Sequence, residues 1–516
     1  MQLAVWQRVL ASVLRFVRSG DRWTKLGLVG VLSVYLSLGT MYAYGVPHLV
    51  SYDEPSHLSY VVSVWRGELP KFSTPMPLKD IGIRRHHSPQ IWVAIHPPLY
   101  YALLAPAVGP ALDRGEPQVA LRRGRLVSLA ISGLGLVFIF LTLRLLLPQR
   151  PSLAVGGTLF GSVIPFFLNV MGAVFNDSAG LLMSSAILYT SLVILIRGPT
   201  TPRVAHAAIW FGLAGMTRLS TLFTMGPALL AVFLAFMLQE KGWLRKIGHA
   251  SLACAALVAA PVATSGWWYL RNVRLYDDFT GAKPALVLFK RTAGKPWHEY
   301  MLDPDKWKDV YEQLWSLFLA GYRLGPSVQD LGKWLLFVAL GGLAFAVLRA
   351  AVPQVMQYRA IPARLRTLTR AQWSRALAFG IVALAVAFSA YSLMELHSRG
   401  GTCNARYMFT SAWVLGLAFA AGFSGWHRRW GLIGAACAFV LFNFDCASRI
   451  LGRYAKQSEK SQDFGTVEAF LKAGVDSPTE LYAAIVVGCA VGLGLVVVSI
   501  ARLEPAGERL DSDRVA

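Results

Sequence analysis

"KLGLVGVLSVYLSLGTMYAYGVPHLVSYDEPSHLSYV" occupies residues 25–61. Its first part, to Val46, is apolar almost without interruption, and Asp53, Glu54 and His57 follow soon after. About 20 apolar residues in a helix cross the roughly 30 Å of hydrocarbon in a bilayer. The fold therefore turns on whether such runs recur. The function turns on what three ionisable side chains do where the chain leaves a membrane.

The runs recur as far as Ile500. Working outward from the first, the expected spans are 25–46, 124–147, 151–172, 178–197, 204–217, 219–239, 248–270, 331–350, 376–396, 406–424, 431–449 and 481–501. The chain has 516 residues, of which 55% are hydrophobic and 15% charged, against about 25% charged in soluble proteins. Backbone groups in lipid must be satisfied within each segment. The expected fold is thus all-α: a polytopic membrane protein of about twelve transmembrane helices. The net charge of +22 would point to nucleic acid in a soluble domain. Here the basic residues sit in short connections between spans, where they set topology and meet anionic lipid, so no nucleic-acid partner is expected. The first span is long and lacks a small-residue cleavage site, unlike a signal peptide.

Charge decides how the run "IHPPLYYALLAPAVGPAL" at 95–112 is read. It is short and carries Pro97, Pro98, Pro106 and Pro110. If it crossed, the basic loops "PQRPS", "RGPTTPR" and "WHRRWG" would all move outside, against the positive-inside bias. It is therefore expected as an interfacial or re-entrant helix, with both termini cytoplasmic. Three external segments result, about 47–123, 271–330 and 450–480. Residues 1–24 read as a cytoplasmic amphipathic segment with Trp6, Val9, Val13 and Phe16 on one face. Residues 25–501 form the membrane domain, and 502–516 a disordered cytoplasmic tail. Cys254, Cys437 and Cys489 lie inside apolar runs. Cys403 and Cys446 fall near one membrane face, which leaves a disulfide between them open.

The outer ends of the spans collect charges of both signs: Asp53, Glu54 and His57, then Asp177, Arg218, Arg271, Glu395, His397, Arg399, Arg406 and Asp445. A single such residue is an ordinary helix end whose head group reaches water. A charge at bilayer depth costs about 2.5–3.5 kcal/mol on insertion scales, so the whole set points to a polar cavity opening outward. A carboxylate there can take a proton from a hydroxyl. Guanidinium groups bind phosphate in a bidentate fork and stabilise charge that develops on it. Arg84, Arg85, Lys290, Arg291 and Lys295 make the outer loops basic, which suits an anionic lipid-linked substrate.

"YDEPSHLSYV", "IHPPLYYALLAP", "RLVSLAISGLGLVFIFLTLRLL", "NDSAGLLMSSAILY", "GWWYLRN" and "ARYMF" follow one another in this chain. In that order they resemble the GT-C superfamily of membrane glycosyltransferases, in the branch of the protein O-mannosyltransferases and the aminoarabinose transferase of lipid A. The resemblance covers most of residues 25–425. It implies an inverting transfer of a sugar from a polyprenyl-phosphate donor to a hydroxyl of a glycan, lipid or protein acceptor, outside the membrane. The Ala/Leu/Arg-rich composition and the loop topology suggest a bacterial cytoplasmic (inner) membrane setting. Under it Asp53 is the catalytic carboxylate, while Glu54 and His57 position the acceptor or the base. Arg406 is the first choice for the donor phosphate and Arg271 the second, with His96 and Arg218 nearby. Asp177 and Tyr100 are the other cavity residues. "NARYMFTSAW" lacks the proline common after "RY" in relatives, and no large C-terminal soluble domain like that of several relatives is expected within these residues.

No cofactor is implied with certainty. Some relatives use a divalent metal and others none, and His86-His87 with His96 or Glu54 are the residues that would ligate one. The ordinary reading of that histidine pair is a solvated loop. Trp267-Trp268-Tyr269 reads as an aromatic belt, and Trp297, His298, Tyr300 and Trp307 as acceptor contacts or structural residues. Two other classes compete with the enzyme: a transporter or flippase of a lipid-linked saccharide, and a non-catalytic GT-C-like subunit of a cell-envelope complex. A transporter needs polar groups near the midplane and access from both sides, whereas these charges gather at the outer ends.

Overall fold

The computed structural model describes residues 22–47, 53–83, 89–239, 242–315, 326–355, 369–456 and 466–504. The expected amphipathic segment before residue 22, the tail from 505 onward, and Arg84, Arg85, His86 and His87 lie outside the described residues. Among those described the chain is helical almost throughout. Its one extended pairing is an isolated antiparallel bridge between Pro75 and Gln90.

The protein is an all-α, multi-pass membrane protein. Nine described helices are long and apolar enough to cross a bilayer, or up to ten if the bent pair Pro151–Ser162 and Pro165–Met171, which meet at 72°, counts as one span. The expected spans at 204–217 and 219–239 form helices of 15 and 17 residues, Thr201–Gly215 and Thr221–Met237. Both are cut short by a turn in which the hydroxyls of Thr217 and Thr221 bond back to the Ala214 carbonyl at 2.8 and 3.0 Å. Each is thus shorter than the roughly 20 residues expected of a crossing. The 95–112 run becomes the 15-residue helix Leu99–Asp113, which is not among the nine.

Burial separates centre from periphery. The Pro151–Ser162 helix is buried at every position after its first, and 83% of the apolar window of Asp177–Arg197 is buried inside the protein. By contrast Trp243–Tyr276 and Gly332–Arg349 bury only 22% and 17% of theirs. Their free faces carry Leu252, Val262 and Leu270, and Trp334, Phe337 and Leu348, the residues that lipid would cover. Small residues let the central helices touch. A methyl group on Gly416 would run into the Gly157 carbonyl and the Gly161 backbone, so Ala412–Trp426 lies directly on Pro151–Ser162. Gly30 and Gly492 meet similarly, joining the first and last helices, Arg22–Gly45 and Pro478–Leu503.

Between the first two long helices the chain makes a helical hairpin, Glu54–Trp65 against Leu99–Asp113. Tyr60 stacks on Tyr101 with centroids 3.7 Å apart, and the Trp65 indole donates to the Asp113 carboxylate at 3.1 Å. The hairpin fixes the start of Glu54–Trp65, where the ionisable triplet sits. All five cysteines are free, so the bridge left open between Cys403 and Cys446 is not formed. Trp268 is fully buried, its indole donating to the Ile95 carbonyl at 3.1 Å. Of the expected aromatic belt only Trp267, at 45%, is exposed.

Candidate active site

Asp53 stands immediately before the Glu54–Trp65 helix, with Pro55 in the first turn, a residue that starts helices readily because it has no N–H to satisfy. Its side chain does not cap the helix. It reaches instead to Arg406, Oδ2 to Nη2 2.6 Å. One turn along, His57 donates its backbone N–H to the Asp53 carbonyl, and its Nδ1 lies 3.0 Å from the Tyr101 hydroxyl. Arg406 comes from the opposite end of the sequence, in the 3-10 helix Ala405–Ser411 that leads into Ala412–Trp426.

These side chains line a cavity of about 650 Å³ together with His96, Asp177 and Arg218. Asp177, in the first turn of Asp177–Arg197, is paired with Arg218 from the turn that interrupts Thr201–Met237. The Arg406 and Arg218 guanidiniums lie over the Tyr407 ring at 5.2 and 5.5 Å. Towards the exposed rim come Arg291, Glu395 and Arg399, the last two joined by an ion pair of 2.6 Å.

Burial works to raise the Asp53 carboxyl. The Arg406 charge beside it, then His57, then hydrogen bonds from Arg406 and Trp92 outweigh that and hold it below its ordinary value. Asp53 is therefore ionised at neutral pH. Burial lowers His57 to about 4, against the opposing pull of Asp53 and Asp177, and lowers His96 well below the usual imidazole range, helped by Arg218, His57 and Arg406. Both imidazoles are neutral at pH 7. Arg406 is the unsatisfied member of the group: its Nε and Nη1 are buried and have no hydrogen-bond partner among the described residues. A buried donor without an acceptor costs about 1–3 kcal/mol, and these two can donate to an anion in the cavity.

Three residues expected in the cavity do not line it. Glu54 is fully buried, with its oxygens taken by Arg125 at 2.8 and 2.7 Å and by the Val174 N–H at 3.0 Å. An acceptor has no access to it. Arg271 turns away from the cavity: its guanidinium lies 4.4 Å over the Trp268 ring and donates to the Pro70 carbonyl at 2.8 Å. Tyr100 is buried behind the cavity wall, its hydroxyl bonded to Ser128 at 2.7 Å. His57, His96, Asp177, Arg218 and Arg406 do gather around Asp53.

Arg125 is the residue that sequence reasoning missed. It lies in the quoted run "RLVSLAIS" and makes five hydrogen bonds: two to Glu54 and one each to the carbonyls of Ala43, Val46 and Pro47. The available signal was a charge at the head of an apolar span, which at membrane depth calls for a partner. Among the described residues, no group of three or more His, Cys, Asp or Glu side chains is gathered closely enough to hold a metal ion.

Residues 96–268 match the family model described as dolichyl-phosphate-mannose-protein mannosyltransferase. The stretch runs from His96 through Asp177 and Arg218 to Trp268, and the match bears out the resemblance to GT-C superfamily glycosyltransferases. No curated protein sequence matches the chain. Among solved structures, ArnT from Cupriavidus metallidurans bound to undecaprenyl phosphate is similar at 12% identity and a TM-score of 0.44, over 94% of this chain and 78% of that one. The S. cerevisiae protein O-mannosyltransferase Pmt1-Pmt2 complex bound to the sugar donor is similar at 17% identity and a TM-score of 0.39, over 51% of this chain. The chain spans only 35% of the length of that yeast chain. The archaeal oligosaccharyltransferase AglB from Archaeoglobus fulgidus, in complex with an inhibitory peptide and a dolichol-phosphate, gives 11% and 0.42, over 92% of this chain and 56% of that one.

Proposed function

We propose that the protein is an inverting glycosyltransferase that moves a sugar from a polyprenyl-phosphate donor to an acceptor hydroxyl, on the outer side of a bacterial inner membrane. The observation that carries the reading is the Asp53–Arg406 pair. An ionised carboxylate lies in a 650 Å³ cavity beside a guanidinium that keeps buried, unpartnered N–H groups. The family match over residues 96–268 supports the reaction class, and the basic connections of the expected topology support the outward side.

In this reading Asp53 accepts the proton of the acceptor hydroxyl as its oxygen forms a bond to the anomeric carbon. The bond from that carbon to the phosphate oxygen breaks from the opposite face, which inverts the configuration. Polyprenyl phosphate leaves with the electron pair, and Arg406 binds its charge through Nε and Nη1. Because the leaving group is an anion already held by a cation, no general acid is needed. Arg218, tied to Asp177, and neutral His96 shape the wall around the phosphate, and His57 orients the acceptor beside Asp53. Glu54 and Arg125 hold the start of the Glu54–Trp65 helix, and with it Asp53. We propose the domain plan that the sequence suggests, a membrane unit of 25–501 between two cytoplasmic ends.

The test is transfer in proteoliposomes holding a polyprenyl-phosphate sugar, with donor consumption and lipid translocation measured separately. The expected result is sugar moved from lipid to acceptor by the unaltered protein and lost in Asp53→Asn, with the variant still inserted and folded. Near-normal transfer by purified Asp53→Asn would overturn the assignment. Translocation without transfer would favour the transporter.

A further inference from the structure

The 3-10 helix that carries Arg406 is held from the second external segment. Gln313, on the helix Pro304–Leu314, is 8% exposed. The two ends of its amide meet one piece of backbone about 90 residues further along the chain. Nε2 donates to the Cys403 carbonyl at 3.1 Å, and Oε1 accepts from the Ala405 N–H at 2.9 Å. Between those groups lies Asn404, with extended φ and ψ of −121° and 126°. In extended chain the carbonyl of one residue and the N–H two residues on point the same way, so a planar amide can pair with both as a neighbouring strand would. The Asn404 side chain then accepts the Arg406 N–H at 3.0 Å, which starts the turn. Gln313, Asn404 and Arg406 thus form three successive links.

We infer that Gln313 is a positioning residue for the lipid phosphate: its two-point clamp on Cys403 and Ala405 fixes the direction of the Arg406 guanidinium and so sets phosphate affinity. The inference rests on the assignment of Arg406 to the donor phosphate proposed above. It has a sequence-level rationale, since few side chains can do this. Glutamate cannot donate to Cys403, asparagine is one methylene short, and methionine fills the same volume but does neither. The segment that supplies the clamp also lines the cavity through Leu286, Phe289 and Arg291. Gly294 donates to the Ser398 carbonyl at 2.8 Å, so the segment is fastened to the same corner at a second point.

The experiment measures undecaprenyl phosphate binding to the purified full-length chain, with thermal unfolding of the same samples. Gln313→Met and Gln313→Glu are expected to lose roughly five- to tenfold in affinity, the size of one or two hydrogen bonds. Gln313→Asn should fall between them and the unaltered protein, and the ligand-free melting temperatures should stay within about 3 °C. Affinity within twofold of normal in Gln313→Met, where Arg406→Gln loses tenfold or more, overturns the inference and leaves the phosphate assignment standing. A melting temperature that collapses while affinity per folded molecule is kept also overturns it, because the clamp is then structural only. If Arg406→Gln binds as well as the unaltered protein, the phosphate assignment itself falls and the inference falls with it.

Discussion

Asp53 and Glu54 are neighbours in sequence and each faces an arginine, yet the two pairs are built to opposite ends. Glu54 and Arg125 are 0% and 2% exposed at the side chain. The five N–H groups of Arg125 match five hydrogen bonds, to Glu54 and to three carbonyls where the first helix ends. Asp53 and Arg406 are 15% and 11% exposed at the side chain and face a cavity. Arg406 uses Nη2 on Asp53 and Tyr407 and leaves Nε and Nη1 unused. A sealed pair with every donor spent has nothing left to offer a ligand. A pair with donors to spare can still bind an anion. Charge alone does not separate these two pairs; the count of unspent hydrogen bonds does.

The comparison breaks most visibly at Asp53. Replacing a positioned general base typically costs about 10²–10⁴ in rate, so Asp53→Asn should lose that much transfer while its thermal unfolding hardly changes. The reverse pattern is expected at the sealed pair. Arg125→Met leaves Glu54 buried and unpaired, which costs about 3–5 kcal/mol of stability, read as a lower melting temperature and poor recovery of folded protein. The double replacement Arg125→Met with Glu54→Met should recover much of that stability, because an apolar pair of similar volume replaces a buried ion pair at little net cost. If Arg125→Met melts normally but is inactive, the two pairs are not the opposites described here.

Which parts of this were legible beforehand follows from the range of the interactions. The spans could be read because hydropathy is a local property. What it did not show was the turn at Met216–Ser220, where two threonine hydroxyls end a helix inside an apolar run, and the 72° bend between Ser162 and Pro165. Asp53 and Arg406 could be named from short motifs at span ends. That they touch across 353 positions was visible only in the fold. Arg271 also sits at a span end, but stacking on Trp268 swings it away from the cavity. Direction around a helix depends on such tertiary partners and cannot be counted from an end. Arg125 went unread for the same reason, since its partner lies 71 residues away.

Arg406→Gln sharpens the contrast with a smaller effect. Hydrogen bonds to charged groups are worth about 1.5–3 kcal/mol, so the affinity for undecaprenyl phosphate should fall by roughly 10- to 150-fold. The variant should also change how Asp53 titrates. In the unaltered protein the Arg406 charge outweighs burial and keeps Asp53 ionised to below its ordinary value. Without that charge burial acts with less opposition, the carboxyl rises, and the acid limb of any residual transfer moves to higher pH. An unmoved acid limb would mean that Asp53 is not the group titrating.

The smallest effect is expected at His57, and its sign can be worked out. The imidazole is held at about 4 in the folded protein, below its ordinary 6.5, chiefly because it is buried. Between those two values the unfolded chain binds a proton that the folded one refuses. Stability from this group is therefore complete above about pH 6.5, falls as the pH drops towards 4, and changes no further below it. A neutral replacement, His57→Gln, removes that dependence, so its melting temperature should fall less steeply than that of the unaltered protein between pH 6.5 and 4. The two curves should run parallel above pH 7. Asp53 offers the contrast within a single helical turn: its lowered carboxyl loses stability only on acidification through and below its ordinary value. A variant at His57 that alters the melting curve only below pH 4 would assign the titration to Asp53 and not to the imidazole.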